Sequence, residues 1–317
     1  MSMRRPMPPA PRVYSDDPSL TVARVVLGVT LRLDAPLAWA QGLAAQVFRE
    51  FAARAPAGSL RCFASSARDG WQSINDHDLD RIASELDLPW HLARLRHPVR
   101  IRVADAPGAG ERLFHYCELD PARGGGSGYL QLFAPADDPP DDLLALCLEL
   151  ANAGPFTHGV AGYHASWNRR DAATSFGCLL PWCRRYAGLH VEDPDAIAPI
   201  AAQGLAAVNW VTLLGEGFVA ERPELAALLA DAPWRGAVRT LRARHGALIV
   251  AGEAPTLGDL NTLKFPNEYA EVAATLAPWT LPSPGVQFRG WARKPDETAA
   301  WHRRLLDLDA WQAVIAD

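Results

Sequence analysis

The order of apolar and polar positions divides the chain into strands and helices. Residues 22–33 (VARVVLGVTLRL) are β-branched and partly alternating, the mark of a strand. Pro36 then opens a helical stretch to about residue 54, since proline is tolerated in a first turn. Leu37, Trp39, Leu43, Val47 and Phe51 give that stretch an apolar stripe. Residues 60–64 form a short strand candidate, and residues 76–86 carry Leu79, Ile82 and Leu86 at helical spacing. Three strand-like runs follow at 99–103, 112–119 and 128–133, punctuated by Pro107-Gly108 and the glycine-rich stretch 124–128. Short connections of this kind predict an antiparallel meander. Pro139-Pro140 introduces a helix over 141–152, whose leading Asp141 and Asp142 complement the positive end of its dipole. A strand over 159–167 (GVAGYHASW) ends the first half.

From residue 168 the pattern predicts helices at 174–186 and 194–202, an apolar strand at 206–214 and a short helix at 224–229. A hairpin follows, 238–244 against 247–251, turning at His245-Gly246, and then a helix over 266–276. Trp279, Trp291, Trp301 and Trp311 in the tail are expected to dock onto the body. There is neither a fixed-period repeat nor a clear linker. The expectation is an α+β fold: a largely antiparallel sheet flanked by helices, in one domain over 20–291 with two closely packed halves (20–167 and 168–291). A proline-rich arm (1–19) precedes it and a helical tail (292–317) follows.

Composition narrows the function classes. With 49% hydrophobic and 21% charged residues over 317 positions, the chain is an ordinary folded protein able to bury a sizeable core. A net charge of −5 argues against a nucleic-acid binder and is compatible with a basic protein partner. Only Lys264 and Lys294 are lysines among the 31 basic residues. The five cysteines, Cys62, Cys117, Cys147, Cys178 and Cys183, are odd in number and scattered, which fits reduced thiols better than a disulfide framework. The first residues hold two arginines with no apolar stretch behind them, unlike a signal peptide. No run reaches the ~18 apolar residues of a membrane span. A cytoplasmic protein is expected.

Several motifs could carry chemistry. Gly215-Glu216-Gly217-Phe218-Val219-Ala220 matches a dinucleotide-binding turn after an apolar strand. That turn needs a helix whose first amides meet a pyrophosphate, and Pro223 would break a helix begun at Gly217. A strand-to-helix corner whose glycines permit unusual backbone angles explains the residues better, so no cofactor is expected. Ser127 has Tyr129 rather than glycine two residues on, so the glycine-rich stretch is neither a hydrolase elbow nor, lacking a lysine, a phosphate loop. Asp76, His77, Asp78 and Asp80 cannot all face one ion from a helix, and no metal site is expected there. His158 and His164 lie an even number apart on a strand, hence on one face; no third ligand follows from the spacing, so they read as satisfied strand histidines, with a hydrolytic enzyme of unassigned class as the alternative. Acidic groups recur at helix starts: Asp137, Asp138, Asp141 and Asp142, then Glu192, Asp193 and Asp195. Together with Asp76, Asp78 and Asp80 they are candidates for facing a basic cleft on a partner.

Two further blocks carry a resemblance. Residues 208–215 (VNWVTLLG) and 251–261 (AGEAPTLGDLN) resemble blocks of bacterial type VI secretion immunity proteins. So do the GVAGY strand at 159–163 and the helix containing Tyr269 (NEYAEVAATLAP), in the same order. The resemblance runs from about Leu20 to Trp291. It implies an immunity protein that binds and neutralises a cognate effector toxin, encoded next door, in the producing bacterium. The toxin is expected to be a nuclease whose active site is occluded, with no direct nucleic-acid or membrane partner. The block residues Asn209, Trp210, Gly215, Gly252, Glu253, Gly258, Asp259, Asn261 and Tyr269 are expected to hold the fold rather than to touch the toxin.

Overall fold

A computed structural model describes residues 8–34, 42–66, 68–87, 99–118, 128–231, 234–281 and 295–316. One sheet of eleven strands dominates, with the spatial order β10-β11-β9-β8-β2-β7-β6-β5-β3-β4 and β1 beside β2. The strands are β1 (Arg12–Val13), β2 (Thr21–Leu33), β3 (Cys62–Ser65), β4 (Arg68–Ser73), β5 (Val99–Ala104), β6 (Leu113–Glu118), β7 (Tyr129–Pro135), β8 (Phe156–Trp167), β9 (Val211–Gly215), β10 (Val238–Ala243) and β11 (Gly246–Ala251). Every pairing between them is antiparallel. The α+β class and the β5-β6-β7 meander follow the sequence pattern. A single sheet joins the two halves, because β8 pairs with β2 on one side and β9 on the other.

The helices are α1 (Leu43–Arg54), α2 (Asp78–Leu86), α3 (Pro140–Ala153), α4 (Ala172–Arg185), α5 (Pro194–Ile197), α6 (Glu216–Ala220), α7 (Pro223–Asp231), α8 (Asn267–Leu276), α9 (Pro295–His302) and α10 (Leu308–Ala316). α1 begins after Gly42; the stretch at Pro36, Leu37 and Trp39 lies outside the described residues, as do Trp291 and the loop at 119–127 that contains Ser127. Several boundaries differ from the sequence expectation. The stretch after Pro194 is four α-helical residues continued as a 3-10 helix to Gln203. The β10–β11 turn is centred on Arg244-His245, because Ala243 pairs with Gly246. The strand at 206–214 begins only at Val211. β4 was not anticipated, since RDGWQS lacks the β-branched pattern.

The sheet has two chemically different faces. Along β2, Val25, Leu27, Val29, Leu31 and Leu33 point to one side, where they join Phe48 of α1, Ile82 of α2 and Leu143 of α3 in the main core. Thr30 and Arg32 point to the other side and are also buried. In register with them stand Gln131 and Tyr129 on β7, His115 and Cys117 on β6, and Arg102 and Arg100 on β5. His158 and His164 lie on the same face of β8. Buried polar groups need partners, and the segment from His190 to Gln203, a strap that crosses that face, supplies several of them.

Candidate functional site

The polar face is organised around an ion pair. Arg32 Nη2 lies 2.9 Å from Glu192 Oε1, and the two side chains are only 2% and 4% exposed. The two atoms are close as ions but are not aligned as a hydrogen bond, and both lack another partner. His190 Nε2 lies 3.2 Å from the other Glu192 oxygen. Burial opposes ionisation of Glu192, but Arg32 and then His190 outweigh it and hold the carboxyl far below the usual range. Arg32 also donates to the Pro194 carbonyl (3.1 Å), which pins the start of α5.

The two candidate histidines share this face but do different things. His158 donates from Nε2 to the Ala201 carbonyl at 3.0 Å. His164 donates from Nδ1 to the Gly162 carbonyl at 3.1 Å, which leaves its buried Nε2 as a lone pair without a hydrogen-bond partner. Its ring packs edge-on to His190, with centroids 4.7 Å apart. Burial pushes both His158 and His164 down to about 3. At neutral pH both are uncharged, and a base that weak is poorly matched to proton abstraction.

Asp195 forms a second node. It accepts from Tyr129 Oη and from Arg100, each at 2.7 Å, and Arg169 Nη1 stands 3.7 Å away. Since the Tyr129 proton goes to Asp195, His115 Nε2 donates to the Tyr129 oxygen at 3.2 Å. Arg169 donates to Gln131, which donates to Thr30. Beside this network a cleft opens between Trp71 on edge strand β4, Arg102, His164 and the Asn168–Arg170 turn, enclosing about 40 Å³ above Glu192 and His190. Arg102 stacks on Trp71 with its guanidinium 4.9 Å from the ring centre.

The acidic residues singled out in the sequence fall in separate places. Glu192, Asp193 and Asp195 belong to the polar-face network, Glu192 buried and the two aspartates partly exposed; Asp193 caps α5 by accepting from the Asp195 amide. Asp76 accepts from the Gly58 amide, and Asp78 accepts from the Asn75 amide and from Arg81, so both brace the start of α2; Asp80 is exposed in its first turn. Asp137 is exposed in the β7–α3 turn, and Asp138 pairs with Arg112 at 3.6 Å. Asp138 and Asp142 border a larger hollow of about 510 Å³ on the other face, floored by Leu27, Leu132 and Leu146. Among the described residues no cluster of three or more potential metal ligands exists.

The block residues pack against each other. Trp210 is fully buried and its indole donates to the Gly252 carbonyl at 3.2 Å, joining the two blocks. Asn209 accepts from the Trp210 amide. Gly252 and Gly258 have φ of 96° and 64°, left-handed values that favour glycine. Asp259 accepts from the Asn261 amide and binds Arg185 through both carboxylate oxygens at 2.9 and 2.7 Å. Tyr269 accepts from the Thr256 amide. Glu253 and Asn261 are exposed. Gly215 departs from expectation: its φ of −71° is ordinary. Its lack of a side chain matters because a Cβ there would lie 1.6 Å from the Phe156 carbonyl oxygen. α6 spans only five residues before Pro223 begins α7, so the turn leads into no long helix that could hold a pyrophosphate.

The family described as TsiV, type VI immunity for VRR-NUC, matches residues 44–305. The chain belongs to this family. The match begins later and ends later than the Leu20–Trp291 stretch that the sequence blocks delimit. Among solved structures, the Pseudomonas aeruginosa T6SS protein PA0821 superposes with a TM-score of 0.73 at 19% sequence identity, covering 94% of this chain and 89% of that one. At that identity the likeness speaks for the fold. No curated protein matches the chain. No helix among the described residues is long and apolar enough to cross a membrane.

Arg32, Arg102, Arg169, His190, Tyr129 and Trp71 were not picked out by motif. For the strand residues the available signal was parity: Thr30 and Arg32 on β2, Arg100 and Arg102 on β5, His115 on β6 and Tyr129 and Gln131 on β7 fall on one alternation phase.

Proposed function

We propose that this TsiV-family protein binds and neutralises a type VI effector of the nuclease class inside the producing cell, by covering the effector's active site. It acts by binding and not by catalysis. The observation that carries this reading is the family match over most of the chain. The chemistry of the polar face agrees with it: His158 and His164 are engaged with backbone carbonyls and held neutral, as structural histidines are.

The test is co-expression with the effector encoded beside this gene. The protein should restore growth, copurify with the effector as a stable complex, and block cleavage of DNA by the purified nuclease. Full toxicity in its presence, with no complex on gel filtration, would overturn the reading. Protection with the nuclease still cutting DNA inside the complex would reject active-site occlusion alone.

A further inference from the structure

We infer that the cleft bounded by Trp71, Arg102, Arg169 and Arg170 is a docking site for a carboxylate-bearing segment of the protein partner. This rests on the immunity reading and gives it a contact surface. It also gives the contact a sign opposite to the one expected from the acidic runs in the sequence.

The argument starts from charge. On the polar face Arg32, Arg100, Arg102, Arg169 and Arg170 stand with the carboxylates of Glu192, Asp193 and Asp195. Arg32, Arg100 and Arg169 each have a carboxylate within ion-pair distance. Among the described residues Arg102 and Arg170 have none. Arg102 is mostly enclosed, its Nε is buried without a partner, and Arg169, Arg100 and Arg170 all repel it. A half-buried guanidinium among like charges is an unfavourable arrangement that an incoming carboxylate would relieve. The local excess of positive charge stands out in a chain whose net charge is −5.

The shape agrees. Arg102 lies on the Trp71 ring, so a planar cation is pre-oriented at the mouth of the cleft. Tryptophan and arginine are the side chains that most often dominate protein interfaces. Arg170 is exposed, with Nη2 only 3.2 Å from where a side chain on Gly70 would begin, so it closes over β4 beside Trp71. About 40 Å³ of space takes one carboxylate group and no folded element. The acids that could have offered the opposite complementarity are already engaged: Glu192 is buried against Arg32, and Asp195 accepts from Arg100 and Tyr129.

The experiment uses the full chain with Arg102→Glu and the exposed Arg170→Glu, each checked for native folding by near-UV circular dichroism. A fluorescein-labelled octaglutamate peptide, an octalysine control and a 20-base-pair DNA duplex serve as probes for anisotropy. Wild type should bind octaglutamate and release it as salt rises, and each variant should lose about tenfold or more in affinity. Binding of the DNA in preference to the acidic peptide, or equal peptide binding by wild type and Arg170→Glu, would overturn the inference. In cells, failure of wild type to protect against the adjacent effector defeats the immunity reading itself. Protection by wild type and undiminished protection by both folded variants defeats only the cleft.

Discussion

Arg32 and Glu192 decide how the polar face is held, because each is buried and each depends on the other for compensation. Removing one partner of such a pair strands a charge and typically costs about 3–5 kcal/mol, a large fraction of the roughly 5–15 kcal/mol that holds a domain folded. Glu192→Ala should therefore lower urea stability by ~3 kcal/mol or more, while Arg32→Met with Glu192→Leu should recover much of the loss. A single variant within ~1 kcal/mol of wild type would show the pair to be incidental. The buried histidines add a pH dependence. His158 and His164 sit near 3 against an ordinary 6.5, so the unfolded chain takes up protons first as pH falls. Stability is then full above about 6.5 and declines toward about 3. Glu192 acts in the same direction below the carboxylate range, because its folded form resists protonation. Denaturation midpoints should be flat from pH 7 to 8 and drop steadily from pH 6.5 to 4. His158→Gln, which keeps a donor for Ala201, should reduce that slope by up to ~1.4 kcal/mol per pH unit; an unchanged slope would contradict the assignment. Little of this was legible beforehand. Glu192 reads in sequence as part of an acidic run with Asp193 and Asp195, and its partner is 160 residues away (192 less 32) on a strand that looks merely apolar.

The corner after β9 illustrates how an element was readable while its cause was not. Pro223 argued against a long helix after Gly217 and so against a cofactor turn, and the structure has five helical residues there before Pro223 begins α7. Yet neither Gly215 nor Gly217 has a positive φ. Gly215 is constrained by the approach of β8, whose Phe156 carbonyl occupies the space of a side chain. Gly217 is a helical position where a Cβ would come no closer than 3.4 Å to Asp34. The two glycines should therefore respond oppositely. Gly215→Ala forces β9 away from β8 and should cost ~3 kcal/mol or abolish soluble expression. Gly217→Ala should raise stability by about 0.5–1 kcal/mol, the usual gain for replacing glycine within a helix. Thermal unfolding of the pair checks this, and equal effects would contradict the packing argument. The same distinction runs through the other elements. Long periodic runs such as β2, α3 and β8 were visible in the pattern. β4 was hidden because the edge strand RDGWQS has no β-branched residue and no alternating apolar signal.

At the scale of the molecule, the tail supports the polar face. Trp301 and Trp311 are buried and pack edge-on with centroids 5.4 Å apart. Arg304 stacks on Trp301 and donates to the Ala187 and Leu189 carbonyls at 2.8 and 3.1 Å. Those carbonyls lie at the start of the strap that continues into His190 and Glu192. His190 in turn bonds to β8 through its amide to Tyr163 and its carbonyl to Ala165. Contacts therefore run from α9 through the strap to the ion pair and the cleft. Burial lowers Arg304 to about 10, so it remains charged at neutral pH and both hydrogen bonds are charge-assisted. Arg304→Ala would leave two carbonyls without their donor and remove a packed stem, an expected loss of ~2–4 kcal/mol. The informative measurement is hydrogen exchange resolved by segment. If the tail braces the strap, amides of residues 187–192 and the Ala165 amide on β8 should exchange faster in the variant, and octaglutamate affinity should fall with them. Faster exchange confined to residues 295–316 would mean that the tail docks without bracing, and that the cleft is held by Arg32 and Glu192 alone.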